Sequence, residues 1–100
     1  MKKRYLKTKP HCKVTFQLPV EAIGTASRVT LVGDFNDWNL ASLPMKRLKD
    51  GSYSVTVDLE RGHEYQFRYL LDDGRWENDR EADKYTPTPF GDGENSVVIV

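Results

Sequence analysis

One cysteine, two histidines and no long apolar run set the first limits on this chain of 100 residues. Cys12 has no partner for an internal disulfide, which fits a reducing compartment. As a nucleophile it lacks a base, because its neighbour His11 would point to the opposite face of a strand. With His11 and His63 added, no two ligands show a metal-ligand spacing, so no metal is expected. The segment MKKRYLKTKPHCK has no apolar h-region, and nothing approaches membrane-spanning length. A cytoplasmic protein with no membrane partner is the expectation.

Net charge is missing too. Fifteen Lys and Arg balance fifteen Asp and Glu, which argues against a nucleic-acid partner. The positives are uneven, however. Lys2, Lys3, Arg4, Lys7, Lys9 and Lys13 crowd the N-terminus and read as a solvated basic arm, with a polyanion contact as the alternative. Catalytic patterns are equally scarce, since GxSxG, P-loop and Rossmann glycine motifs do not occur. Asp34, Asn36 and Asp37 fail as a calcium loop because the next oxygen position falls on Trp38. Glu77, Asp79, Glu81 and Asp83 lie in a polar stretch, where carboxylates are expected to be solvated and ordinarily ionised. A chain without catalytic residues, metal or cofactor is expected.

What is present is alternation. Val14, Phe16 and Leu18 alternate with Thr15 and Gln17, Tyr53 to Leu59 repeats the pattern, and Tyr65, Phe67, Tyr69 and Leu71 share one face. Asp50-Gly51, Arg61-Gly62 and Asp73-Gly74 mark turns between such runs. PVEAIGTA can hold one helical turn, and the prolines and glycines of NDREADKYTPTPFGDGE argue for irregular chain. About seven short strands follow, arranged as an all-β, immunoglobulin-like antiparallel sandwich over residues 13–100, with 1–12 as a basic arm or edge strand.

Two tryptophans stand outside this alternation. Trp38 follows a strand in VTLVGDFNDWN, and Trp76 follows the turn in LLDDGRW. Indole rings at strand ends offer flat platforms for the C–H faces of sugars, while guanidinium and amide groups bond hydroxyls. Arg68, on the strand leading to Trp76, and Asn95, at the last strand, supply such groups. The alternative is that both indoles cap the ends of the core.

VTLVGDFNDWN, DGSYSVTVDLERGHEYQFRYLLDDGRWEND and GENSVVIV, in this order, resemble the family 48 carbohydrate-binding modules. These include the early-set domains of glycogen branching and isoamylase-type debranching enzymes, and the glycogen-binding domain of the AMP-activated protein kinase β subunit. The resemblance implies a non-catalytic module that binds α-1,4-glucan of glycogen or starch type, weakly, through Trp38, Arg68, Trp76 and Asn95. Arg68 stands where the family carries Lys. Asn36, Tyr85 and Phe90 are further candidate contacts. The loop PFGDGEN lacks the Leu and Thr of kinase-type domains, and LLDDGRW carries one residue more than the family's usual turn. The second expectation is a structural domain that keeps the fold and docks to a glycogen-metabolism enzyme or kinase, with little or no glucan binding.

Overall fold

The computed structural model describes residues 1–88 and 93–100. In chain order the strands are β1 (Lys2–Tyr5), β2 (His11–Leu18), β3 (Val29–Gly33), β4 (Lys46–Arg47), β5 (Tyr53–Glu60), β6 (Glu64–Leu71), β7 (Trp76–Glu77), β8 (Lys84–Pro87) and β9 (Glu94–Ile99). One helical turn, α1 (Val20–Ile23), follows β2, and a 3-10 turn (Asp34–Asn36) follows β3. The strands form two antiparallel sheets, ordered β1-β2-β5-β4 and β3-β6-β9-β8, with β7 paired to β6 beyond the end of β9. The fold is the immunoglobulin-like sandwich that the alternation predicts.

Register explains the core. Cys12, Val14, Phe16 and Leu18 lie opposite Leu59, Val57, Val55 and Tyr53, so both strands turn one apolar face inward. The second sheet answers with Val29 and Leu31 opposite Leu71 and Tyr69. Phe16 and Phe67 meet edge to face at 4.9 Å, and Tyr69 stands 5.8 Å from Phe67. Burying one such side chain stabilises by about 1.5–3 kcal/mol. Exposed pairs such as Lys13–Asp58, at 2.9 Å across β2 and β5, contribute about 1 kcal/mol at most. The apolar alternation, not surface charge, therefore fixes the register.

Strands β1, β7 and β8 lie in segments whose charge, glycine and proline mask a strand signal. Within residues 1–12, expected as a basic arm or edge strand, Lys2–Tyr5 pairs with β2 at the edge of its sheet. Lys3 reaches inward to donate to Asp83 Oδ2 at 2.6 Å, and the same oxygen accepts the Ile99 amide of the other sheet at 2.7 Å. Arg61 lies 4.9 Å over the Tyr5 ring. β8 interrupts the stretch read as irregular, and Pro87 is accommodated because it ends an edge strand.

The second sheet is buried on both faces along part of its width. Val32 and Val97 point away from the main core, yet they are 0% and 2% exposed. Side chains on the outer face of this sheet must cover them.

Candidate functional site

The turn after β3 is built residue by residue. Gly33 has no room for a side chain, because a Cβ there would lie 2.6 Å from the Gln66 carbonyl oxygen and 2.8 Å from Phe67 Cβ. Phe35 sends its ring toward the core, 5.5 Å from Phe16 and 6.1 Å from Tyr65. Asn36 closes the turn: its Oδ1 accepts from the Gly33 amide, and its Nδ2 donates to the Asn39 carbonyl and Ser42 Oγ. Asp37 and Trp38 are left-handed, with φ of 54° and 56°, an arrangement that costs about 1–2 kcal/mol per residue. The surrounding bonds, including Trp38 N–H to the Gly33 carbonyl at 2.9 Å, hold it in place. Trp38 is half-buried, and its Nε1 donates to Asp34 Oδ1 at 2.8 Å.

Strand β6 carries the remaining side chains outward. Arg68 lies opposite Val32, and Leu70 lies opposite Thr30 on one side and Trp76 on the other. Trp76 is 41% exposed on this face. Its turn is anchored by Arg75, whose guanidinium donates to the Ile23 carbonyl at 2.6 Å and to Asp73 at 2.8 Å. The last carbonyls of α1 thus gain a cation. Arg68 Nε donates to the Glu94 carbonyl at 3.1 Å, which also accepts from Asn78 Nδ2 at 2.8 Å. Asn95, next in β9, turns its side chain to the outer face, but it is only 6% exposed, and its Nδ2 donates to Gln66 Oε1 at 3.0 Å.

Arg68, Trp76 and Asn95 therefore share one face of the second sheet, and Trp38 is tied to its rim through Asp34, whose Oδ2 accepts the Gln66 amide at 2.7 Å. Asn36 is occupied inside its turn. Tyr85 lies opposite Ser96, on the other face of the sheet from Asn95, and its hydroxyl donates to the Asp79 carbonyl. Phe90 lies outside the described residues.

The acidic stretch needs correction. Asp79 is not solvated: it is 4% exposed and accepts the Tyr69 hydroxyl at 2.6 Å. Burial, reinforced by the Asp79 carboxylate, pushes the Tyr69 phenol far above its ordinary range. Asp83 is exposed, as expected, and paired with Lys3. Among the described residues no His, Cys, Asp and Glu gather as a metal-binding group. A cavity of about 480 Å³ beside Thr15, Gln17 and Arg80 includes none of the aromatic platform.

Sequence reading missed Asp34, Gln66 and Arg75. Their spacing from Trp38 and Trp76 carries no pattern of its own, and their roles arise only when β3, β6 and α1 come together.

Comparison with known proteins places part of the chain among relatives of a known family. The chain is 40% identical over 68 residues to the 1,4-alpha-glucan branching enzyme GlgB of Aquifex aeolicus (strain VF5), which is 65% of this chain and 10% of that protein. It is 42% identical over 53 residues to the GlgB of Bacillus caldolyticus, covering 50% of this chain and 8% of that protein. With the amylopullulanase of Thermoanaerobacter thermohydrosulfuricus it shares 27% identity over 95 residues, 87% of this chain and 6% of that protein. The chain thus spans a tenth or less of the length of these relatives. The family model for carbohydrate-binding module 48 (isoamylase N-terminal domain) matches residues 24–87, more than half of the chain, which therefore belongs to that family.

Proposed function

We propose that the chain is a non-catalytic module that binds α-1,4-glucan of glycogen or starch type on the outer face of its second sheet. The observation that carries this reading is the exposed Trp76 indole, paired opposite Leu70 on the outer face that Arg68 also takes and that the Trp38 turn borders. Each indole covering about 100 Å² of sugar contributes roughly 2.5 kcal/mol at about 25 cal/mol/Å². The entropy of association offsets much of that, which leaves a dissociation constant of about micromolar to millimolar. Such affinity suits a polymer that offers many equivalent sites.

Glycogen-containing native gels test the reading, with maltoheptaose titration as the quantitative arm. Glycogen is expected to retard the chain, and Trp76→Ala is expected to weaken binding by roughly tenfold or more without unfolding it. No retardation and no maltoheptaose binding at millimolar concentration overturns the proposal.

The burial of Asn95 favours a second reading, since a face with one fewer hydroxyl partner also suits a protein surface. A stoichiometric complex with a glycogen-metabolism enzyme or kinase, together with absent glucan affinity, is its signature.

A further inference from the structure

The outer face of the second sheet is organised around one carboxylate. Asp34 Oδ1 accepts from the Trp38 indole at 2.8 Å, and Oδ2 accepts from the Gln66 backbone at 2.7 Å. Gln66 Oε1 in turn accepts from Asn95 Nδ2 at 3.0 Å. Three hydrogen bonds thus run from Trp38 to Asn95 through Asp34 and Gln66. The burial along this chain is uneven. Asn95 is 6% exposed, whereas Gln66 is half-buried on the outward face. Among the described residues, the other end of the Gln66 amide has no protein partner.

Each bond has a physical consequence. An indole pinned at Nε1 cannot swing about its side-chain torsions, so its flat face is presented before any ligand arrives. Asp34 also replaces a ladder bond where β3 has ended, because Gly33 is its last residue and pairs with Phe67. The carboxylate therefore couples the indole to the strand beneath it. Both bonds to Asp34 are charge-assisted and stronger than neutral ones. Asn95 lies too deep to meet a ligand broadly, but its bond fixes the orientation of the Gln66 amide.

We infer that Asp34 is the positioning residue of this face, holding the Trp38 indole and the Gln66 backbone together, and that Gln66, steadied by Asn95, is a further sugar-contacting group. This inference rests on the α-glucan reading, and the experiment separates the two. Trp76→Phe leaves Trp38 as the single tryptophan, and fluorescence anisotropy without sugar then reports how firmly the indole is held. Asp34→Ala in that background is expected to lower the anisotropy. With Trp76 present, Asp34→Ala is expected to weaken maltoheptaose binding by roughly tenfold, the effect of losing charge-assisted bonds. Asp34→Asn keeps one acceptor oxygen and should fall between. It also replaces Asp34→Ala should the latter fail to fold, as judged by a far-UV circular dichroism melt. Gln66→Ala is expected to weaken binding several-fold while leaving the Trp38 anisotropy unchanged.

Unaltered anisotropy and affinity in Asp34→Ala overturn the positioning role, and unaltered affinity in Gln66→Ala overturns the contact. A wild-type chain that binds no α-glucan removes the functional reading and Gln66 with it. In that case, a fall in anisotropy still supports the Asp34 lock.

Discussion

Gly33 shows how much can depend on a missing side chain. Its backbone is extended, so its reason for being glycine is the approach of Gln66 and Phe67 and not an unusual torsion. A methyl group there meets a backbone carbonyl and a packed Cβ, neither of which can withdraw cheaply. Gly33→Ala is therefore expected to destabilise the fold by about 2–3 kcal/mol, as overpacking does. Urea denaturation followed by circular dichroism measures it, and an unchanged midpoint contradicts the clash. The same methyl pushes β3 from β6, so Trp38, bonded to the Gly33 carbonyl, moves with it. Trp38 itself was legible as a residue outside the core. What its neighbours do was less so, since Phe35 is a partly buried side chain that packs against the core from a polar turn.

Elements differ in how plainly they announce themselves. The inward residues of β2, β5 and β6 are visible as period-two alternation, because one face of each strand is buried and the other carries polar groups. β8 hides, because an edge strand tolerates Pro87 and exposes Lys84 and Tyr85. Asp79 hides for a different reason. An aspartate among Glu77, Glu81 and Asp83 looks solvated until Tyr69 arrives from β6 to donate a hydrogen bond. Asn95 misleads in the same way, since it is buried and its partner Gln66 stands 29 positions earlier. Alternation tells which face a residue takes, and not what stands opposite it. The Tyr69–Asp79 bond joins β6 to the chain beyond β7, and Tyr69→Phe leaves a buried carboxylate oxygen without that donor. A loss of about 1–3 kcal/mol is expected in urea denaturation, and stability equal to wild type would show that the bond contributes nothing.

For the whole molecule, acid is the expected weakness. Asp50 is held below its ordinary value of 3.8 by Ser52, Asp58 by Lys13, Asp72 by Ser27 and Asp73 by Arg75. In Asp83 burial acts upward, but the bonds from Lys3 and the Ile99 amide outweigh it and the net shift is downward. Groups depressed in the folded state leave the unfolded chain holding more protons below about pH 4. Their stabilisation is complete above that value and is lost as pH falls through the folded-state values. Urea midpoints are expected to agree between about pH 5 and 7 and to drop at about pH 2.5. A flat profile would refute the linkage. The doubly covered second sheet has a different consequence, which lies in time. With Val32 and Val97 packed beneath it, the outer face is already assembled before contact and has little to order. If the face binds α-glucan as proposed, association at about 10⁵–10⁷ M⁻¹s⁻¹ with micromolar-to-millimolar affinity leaves bound lifetimes from about ten seconds to about a tenth of a millisecond. On that reading, such a surface moves along a branched polymer by repeated visits and is not fixed to one place.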